Sequence, residues 1–183
     1  MTGLIIVDIQ NDYFPGGKME LSGSLEAAQH AGTALAAFRR RSLPVFHLQH
    51  ISNREGAGFF LPDTVGVNIH EQVRPFINEK VIQKNYPNSF RDTALLTELK
   101  SAGINHLLIC GMMTHMCIDA TTRAAYDLGF RCTVLHDACT TRDLVFQGQT
   151  IPASQVHAAF LAALKGIYAD VIGTEDYVTQ LTK

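Results

Sequence analysis

The feature that most constrains the fold is a regular alternation of short apolar runs with segments of helical periodicity. The runs are apolar throughout, as is typical of strands in a sheet that is covered on both faces. Strands that alternate with helices form βαβ units around a parallel sheet. The pattern therefore predicts an α/β fold with strands at Gly3–Asp8, Leu43–Gln49, Lys80–Gln83, His106–Cys110, Arg131–His136 and Asp170–Ile172.

Four segments with apolar residues at every third or fourth position predict the helices. Ser24 is predicted to cap the first and Asp92 the second; the third runs from about His115 to Leu128, and the last has Pro152 in its first turn. Glycines are predicted to end the last three. The apolar positions are Leu25, Ala28, Leu35 and Phe38, then Leu95, Leu99 and Ala102, and finally Val156, Phe160 and Leu164.

One long segment, from Ile51 to Glu79, has neither the apolar runs of the strands nor the helical spacing of apolar residues, and it is rich in glycine and proline. A loop of this length in a compact domain is usually functional or is covered by a partner subunit. It contains the apolar cluster Phe59, Phe60 and Leu61, which is unfavourable in water. We therefore predict a homo-oligomer, a dimer or a tetramer, in which this loop contributes to a subunit contact.

Length and composition fit one globular domain that comprises residues 1–183. A chain of this size buries roughly 70% of its unfolded surface, and its 46% hydrophobic and 17% charged residues are not those of a disordered chain. The net charge of −2 offers no basic surface, so nucleic acid is not expected as a partner.

The apolar runs are far shorter than the roughly 20 residues of a membrane span, and no basic segment of a signal peptide precedes the first strand. The four cysteines form no CxxC pair, and Cys110 and Cys132 fall within predicted strands as small buried hydrophobes. We therefore expect a cytoplasmic protein with reduced thiols, no membrane partner and no cofactor.

Three polar residues lie where an open parallel sheet binds its ligands, beyond the carboxyl ends of the strands. Asp8 ends the first strand, Lys84 follows the third, and Cys117 lies between the fourth strand and the next helix. Each has an ordinary alternative when it is considered alone: Asp8 as a turn or cap residue, Cys117 as a packed apolar side chain, and Lys84 as a surface lysine. Together they could adjust one another's pKa.

The position of Cys117 also suggests how its thiol is activated. If Thr114 is the N-cap, Cys117 occupies the third helical position, near unpaired backbone N–H groups and the positive end of the helix dipole. This placement favours the thiolate, and the same N–H groups could hold an oxyanion.

The order of the motifs resembles that of the isochorismatase-like cysteine hydrolases, the nicotinamidase-related amidohydrolases, over nearly the whole chain. The matching segments are residues 7–14 (VDIQNDYF), 84–90 (KNYPNSF), 111–117 (GMMTHMC), 121–125 (TTRAA) and 136–139 (HDAC). The resemblance implies a catalytic triad of Asp8, Lys84 and Cys117. It also implies a cis peptide between Met112 and Met113, with the backbone N–H groups of Met113 and Cys117 directed toward the oxyanion, and it points to an oligomer.

The resulting hypothesis is hydrolysis of a small-molecule amide or carbamoyl C–N bond through a thioester acyl-enzyme. Asp8 takes the thiol proton, Lys84 stabilises the charge, and the thiolate attacks the carbonyl carbon. The predicted fold is a three-layer α/β/α domain with a doubly wound, six-stranded parallel sheet in the order 3-2-1-4-5-6, which brings Asp8 and Cys117 together.

Residues in the motif segments are candidates for substrate contact. Phe14, Tyr86 and Phe90 could form an apolar wall, and Asn11 and His115 could supply polar contacts. The aromatic residues could equally be part of the core.

A metal site is the main alternative for the chemistry. His47 and His50 follow each other in the second strand, where metal-binding nicotinamidases carry an Asp-x-His pair, and His70 lies in the long loop. Residues three apart in a strand point to opposite faces, so His47 and His50 are not expected to converge, and we predict no metal. Two further alternatives remain: a binding protein of the same fold without turnover, and a redox protein that uses Cys117 as a sensor thiol.

Overall fold

The structure is a computed structural model that describes residues 1–181. Six strands form one sheet in the order β3-β2-β1-β4-β5-β8, and every pairing between neighbours is parallel. The predicted order is confirmed, because β8 is the sixth predicted strand. The strands are β1 Thr2–Val7, β2 Val45–His50, β3 Lys80–Lys84, β4 His106–Met112, β5 Arg131–Thr140, β6 Leu144–Phe146, β7 Gln149–Ile151 and β8 Asp170–Ile172.

Helices cover both faces of the sheet and give the predicted three layers. Helices α1 and α5 pack in one buried cluster, and α2, α3 and α4 pack in the other. The helices are α1 Ser24–Arg40, α2 Leu95–Ser101, α3 Asp119–Asp127, α4 Ala153–Leu164 and α5 Thr174–Leu181. A π-helical turn, Thr114–Ile118, precedes α3, and short 3-10 turns lie at Asn11–Tyr13 and Glu71–Val73.

The central strand β1 shows why the strands are apolar throughout. Leu4 and Ile6 contribute to the cluster under α1, whereas Ile5 and Val7 contribute to the cluster on the opposite face. None of the four is more than 2% exposed. Successive side chains of a strand point to opposite faces, so both faces of β1 must be apolar when both are covered.

Three predicted helix starts need correction. Pro152 is the N-cap of α4, which begins at Ala153, and so does not lie in its first turn. Ser24 is the first residue of α1, and its N-cap is Gly23, whose φ of 69° lies in the left-handed region. Leu25 is exposed; the buried stripe of α1 consists instead of alanines with Leu35 and Phe38, and such small side chains let the helix lie close to the sheet. Asp92 does not cap α2, because the helix begins at Leu95 and its N-cap is Ala94; the hydroxyl of Thr93 accepts a hydrogen bond from Leu95 N–H.

The hairpin formed by β6 and β7 was not predicted. Its two short strands pair antiparallel and flank a two-residue turn, Gln147–Gly148, in which both residues have positive φ. A glycine at the second position of such a turn was the available signal. Val145 and Phe146 on this hairpin are 70% and 67% exposed.

The apolar cluster of the long loop folds back onto its own chain. Phe60 is 1% exposed, and its ring centroid lies 4.6 Å from that of Tyr13 and 4.9 Å from that of Phe59. Only Leu61 of the three predicted residues is exposed. This cluster therefore does not require a partner subunit, and the homo-oligomer stays a prediction.

Within residues 1–181, no helix is long and apolar enough to cross a membrane. The cytoplasmic location stays a prediction. So does the single domain of residues 1–183, of which residues 182–183 lie outside the described part.

Candidate active site

The carboxyl ends of the neighbouring strands β1 and β4 bring Asp8 close to the segment that carries Cys117. Val7 pairs with Gly111, and Asp8 follows directly with a φ of 52°, a conformation that aspartate tolerates better than most residues. A Cβ at Gly111 would lie 2.0 Å from Val7 O, so only glycine permits this approach. The segment after Gly111 therefore starts in contact with the strand that carries Asp8.

Lys84 reaches this point from the end of β3. Its Nζ lies 2.7 Å from Asp8 Oδ2 and 3.4 Å from Cys117 Sγ, and the side chains of Lys84 and Asp8 are completely buried. Nζ also lies 3.0 Å from Tyr86 O and 3.3 Å from His50 Nδ1. An ammonium has three hydrogens, so these four polar neighbours share them. The structure thus places Asp8, Lys84 and Cys117 in mutual proximity.

Cys117 lies in the π-helical turn and not in the third position of a regular helix. Met113 is the N-cap, and Ile118 N donates to Met113 O in the wide turn. Thr114 is not the predicted cap, because its hydroxyl hydrogen-bonds with His157 Nδ1 at 2.8 Å. The peptide bond between Met112 and Met113 is cis, as the family resemblance implies. π-Helical turns of this kind are frequent at functional sites.

The electrostatics of the thiol differ from the sequence prediction. Burial raises the pKa of Cys117 well above its usual value, and the charge of Asp8 raises it further, whereas Lys84 lowers it only in part. Burial lowers the pKa of Lys84, but the charges of Asp8 and Cys117 outweigh that effect and raise it. The free site therefore favours a protonated thiol beside a protonated amine, so a base is needed to form the thiolate.

His50 is a fourth polar residue of this site, and Gln10 fixes its position. The side-chain amide of Gln10 donates to His50 O at 2.9 Å and to Val67 O at 2.8 Å, and its oxygen accepts from His50 N at 2.8 Å. Burial lowers the pKa of His50; the charge of Asp8 raises it, but that effect is outweighed by burial together with Lys84 and Arg54, which favours a neutral ring near pH 7. Sequence reasoning missed this role of Gln10, although Gln10 belongs to one of the matching segments.

Cys117 opens into a cavity of about 380 Å³. Tyr86 is the one predicted substrate-binding residue that lines it. Much of the remaining wall is apolar and comes from Tyr13, Phe59, Phe60, Pro87, Met113 and Met116. The long loop therefore supplies part of the cavity wall, through Phe59 and Phe60, which agrees with a functional loop.

The other four predicted substrate-binding residues lie outside the lining of this cavity. Phe14 is in the core, where its ring stacks 3.6 Å from that of His70, and Phe90 stacks on Phe130. Asn11 donates to Val65 O, and His115 hydrogen-bonds with Thr141. In each case the side chain is occupied by an intramolecular contact, so Phe14, Phe90, Asn11 and His115 are not placed to contact a ligand in this cavity.

Asp12 anchors the loop that forms the cavity wall, a role that the sequence did not reveal. Its carboxylate is 4% exposed and accepts from Phe60 N at 2.6 Å and from Lys18 N at 3.1 Å. A Cβ at Gly66 would lie 2.1 Å from Asp12 Oδ1, so the loop can pass this carboxylate only with glycine there. Asp12 therefore holds the buried Phe60 beside the cavity.

The three histidines considered for a metal have separate environments. His47 Nε2 lies 3.0 Å from Glu79, His50 faces Lys84, and His70 stacks on Phe14. Within the described residues, one group of possible metal ligands is close together: side-chain atoms of Asp8, His50 and Cys117 all lie within 4.8 Å of one another. The Lys84 ammonium, however, already contacts all three residues. The residues present do not form the Asp-x-His arrangement of a metal-dependent nicotinamidase.

Comparison with known proteins agrees with this fold and site. The model of the isochorismatase domain matches residues 2–176. The isochorismatase family protein YddQ of Bacillus subtilis is 51% identical over 97% of this chain and 98% of its own length. The crystal structure of an isochorismatase hydrolase from Oleispira antarctica is 49% identical, with a TM-score of 0.94 over 97% of this chain and 96% of that one. The chain therefore belongs to the isochorismatase family of hydrolases, as the motifs predicted.

Other relatives are named for a reaction. A streptothricin hydrolase of Streptomyces noursei is 33% identical over 82% of this chain and 55% of its own length. The ureidoacrylate amidohydrolase RutB of Acinetobacter baylyi is 25% identical over 97% of this chain and 82% of its own length. The enzymes of this family thus include amidohydrolases, which act on carbon–nitrogen bonds.

Proposed function

We propose that this chain is a cysteine hydrolase that cleaves an amide or carbamoyl-type C–N bond of a small molecule through a thioester intermediate. The observation that carries the proposal is the contact of a buried lysine with both a carboxylate and a thiol: Lys84 Nζ lies 2.7 Å from Asp8 and 3.4 Å from Cys117. The cavity of about 380 Å³ beside the thiol limits the substrate to a small molecule. The amidohydrolase among the relatives supports the choice of bond.

Formation of the acyl-enzyme begins with the thiol proton. Asp8 accepts the proton from Cys117, and the thiolate attacks the carbonyl carbon to form the C–S bond. The oxygen of the tetrahedral intermediate becomes negative and is stabilised by the backbone N–H groups of Met113 and Cys117. Asp8 then returns the proton to the amide nitrogen, the C–N bond breaks, and the amine leaves.

Water completes the cycle. Asp8 accepts a proton from a water molecule, whose oxygen attacks the thioester carbon. When the C–S bond breaks, the acid product leaves and Asp8 protonates the sulfur of Cys117. The thiol, the carboxylate and the ammonium are thereby restored.

Asp8, and not Lys84, is the base in this scheme. The raised pKa of Lys84 keeps its amine protonated, so it cannot accept the thiol proton. Lys84 instead stabilises negative charge, which resides on Asp8 before the proton transfer and on the sulfur after it. Because burial and Asp8 raise the pKa of Cys117, the thiolate is the minor form in the free site, and removal of the proton by Asp8 is part of the reaction.

Covalent trapping tests the proposal directly. The protein is mixed with 4-nitrophenyl esters of small acids, which acylate a competent thiol faster than they deacylate, and its intact mass is measured. We expect one acyl group per chain, mapped to Cys117 by peptide mass spectrometry, and a burst of nitrophenol. The variant Cys132→Ser, which changes a buried thiol in β5, serves as the control and should acylate normally. Acylation of the protein after Cys117→Ser would contradict the assignment.

We also propose the homo-oligomer, a dimer or a tetramer, that the family resemblance implies. Apolar side chains that remain exposed support it, including Phe76, Val145 and Phe146. Light scattering at micromolar concentration should give a mass of two or four chains, and a sharp monomer mass would contradict the proposal.

A further inference from the structure

The cavity beside Cys117 has one charged side chain in its wall outside the catalytic group. Aromatic rings of Tyr13, Phe59, Phe60 and Tyr86 and the polar residues Ser52, Asn53 and Asn85 contribute to the wall. Arg54, which is exposed, also lines the cavity and brings a positive charge to its rim. A few charged or polar groups in a largely apolar wall are the usual means by which a small-molecule site orients its ligand. The charge of Arg54 therefore bears on which substrates fit.

The loop that carries Arg54 is tied to the catalytic residues. Ile51 N donates to Lys84 O at 2.9 Å, and Ser52 N donates to Phe60 O at 2.9 Å, which closes the segment between them. Within that segment Ala57 N donates to Arg54 O. Because Phe60 is itself held by Asp12, both ends of the loop are fixed, and Arg54 has a defined place relative to Lys84.

The guanidinium of Arg54 has no ion-pair partner within residues 1–181. Arg131, by comparison, begins β5, at the opposite end of the strands from Cys117, and pairs with Asp170 at 3.1 Å. The positive charge of Arg54 contributes to the lowered pKa of His50, so its field reaches the catalytic end of the cavity. An unpaired guanidinium that faces a ligand cavity is suited to a carboxylate, which it can bind through two parallel hydrogen bonds.

We propose that Arg54 binds a carboxylate of the substrate, so that the substrates are small amides with an apolar or aromatic body and an anionic end remote from the scissile bond. This inference rests on the proposed function, because it places the amide carbonyl at Cys117. The apolar body then contacts the aromatic wall, and the carboxylate reaches Arg54. Arg54 is thus a specificity-determining residue.

The test compares anionic and neutral reagents that alkylate Cys117 and needs no known substrate. Maleimidopropionic and maleimidocaproic acids are each paired with their primary amides, so that each pair differs only in the terminal charge. The second-order rate of labelling at Cys117 is measured by peptide mass spectrometry at pH 7. We expect at least one acid to react about two- to fivefold faster than its amide, the size of effect of a partly solvated ion pair. The preference should shrink in about 0.5 M salt.

Variants assign the preference to Arg54. Arg54→Gln should bring the acid-to-amide ratio close to one, and Arg54→Glu should bring it below one. Arg131→Gln makes the same change of net charge at the amino end of β5, away from the cavity, and should keep the wild-type ratio. A ratio that is the same in Arg54→Gln as in the wild type, or a wild-type ratio at or below one for both acids, would overturn the inference.

The outcome also separates this inference from the proposed function. If Cys117 reacts with both reagents but Arg54 has no effect, the substrate class is wrong and the cysteine mechanism stands. If Cys117 reacts with neither reagent at pH 7, labelling is repeated at pH 9, where more of the thiolate is present. No reaction there would show that the cavity does not admit ligands to the sulfur, and both proposals would fail.

Discussion

Asp8 and Lys84 form a buried ion pair in which Oδ2 and Nζ are 2.7 Å apart and neither side chain is exposed to solvent. Removal of one partner of such a pair leaves an unpaired charge in the interior, which is strongly destabilising. The pair also sets the state of the third residue, since Asp8 raises the pKa of Cys117 and Lys84 lowers it. The two partners therefore have opposite effects on thiol reactivity, and variants of each can be told apart.

Replacement of Lys84 by methionine should slow alkylation of Cys117. Without the ammonium, the pKa of the thiol rises further, so at pH 8 the rate of reaction with iodoacetamide should fall about tenfold. The variant should also lose roughly 3–5 kcal/mol of stability, because Asp8 is left unpaired. Rates are compared under conditions where circular dichroism shows a folded protein. Unchanged alkylation by the folded variant would show that Lys84 does not act on the thiol.

Replacement of Asp8 by asparagine should separate hydrolysis from thiol reactivity. The amide cannot accept a proton, so hydrolysis of any confirmed substrate should be lost. The negative charge that raises the pKa of Cys117 is also removed, so alkylation at pH 8 should become about tenfold faster. If hydrolysis and alkylation were both lost, Asp8 would have a structural role and its assignment as the base would be wrong.

Serine in place of Cys117 should abolish hydrolysis and leave the fold intact. The change is nearly isosteric, but the hydroxyl pKa is far above that of the thiol, so Asp8 cannot ionise it as readily. Activity is measured together with the unfolding midpoint. The matched change Cys110→Ser, in β4, should lower the midpoint because it buries a hydroxyl among apolar groups, while hydrolysis is kept. Near-normal turnover by the Cys117→Ser protein would show that Cys117 is not the nucleophile.

The sequence predicted the six strands of the main sheet because periodicity is a local property. A strand such as β1 contains a short continuous apolar run, residues 4–7, and its length and flanking residues favour a buried strand over a helix. The buried face of α1 was less visible, since it consists largely of alanines and the prediction gave weight to Leu25. The β6–β7 hairpin was missed because its strands are short and largely exposed, which leaves little hydrophobic signal.

The candidate site was predictable where motif and position agree and unpredictable where it depends on contacts distant in sequence. The three catalytic candidates, Asp8, Lys84 and Cys117, lie in segments that match the family motifs, and each lies at or beyond the carboxyl end of a predicted strand. The contact between Asp12 and Phe60 joins residues 48 positions apart, and that between Gln10 and His50 joins residues 40 apart. The sequence predicts a lowered pKa for the Cys117 thiol, because it places the thiol at a helix N-terminus. The burial of the thiol beside Asp8, which raises its pKa, cannot be deduced from that position.

Replacement of Asp12 by alanine should weaken substrate binding without changing the chemistry. The carboxylate holds Phe60 N and Lys18 N, so its loss frees the loop that forms one wall of the cavity. We expect a raised KM, a smaller change in kcat and a loss of about 2 kcal/mol of stability, chiefly because the buried Phe60 N–H is left unpaired. Gly66→Ala should act in the same direction, because its Cβ would displace the carboxylate. A loss of kcat alone would contradict this role.

Glu79 should make a contribution to the stability of the fold that depends on pH and that does not involve the catalytic residues. Burial would raise the pKa of Glu79, but hydrogen bonds from Arg39, Phe76 N–H and His47 outweigh it and lower the pKa to about 2, from a usual value of 4.5. The carboxylate is 9% exposed, so the shift corresponds to about 3 kcal/mol. Because the folded-state pKa is the lower one, this stability is present above pH 4.5 and is lost as the pH falls toward 2.

Glu79→Gln should therefore lower the free energy of unfolding by up to about 3 kcal/mol at pH 7, as measured by denaturant unfolding. The difference from the wild type should shrink between pH 4.5 and pH 2 as the carboxyl group becomes protonated. Glu98→Gln is the matched control: its carboxylate pairs with Lys80, whose side chain is 60% exposed, so it should change stability by less than about 1 kcal/mol. A Glu79→Gln effect as small as that of the control, or one that does not change with pH, would show that the network around Glu79 does not stabilise the fold.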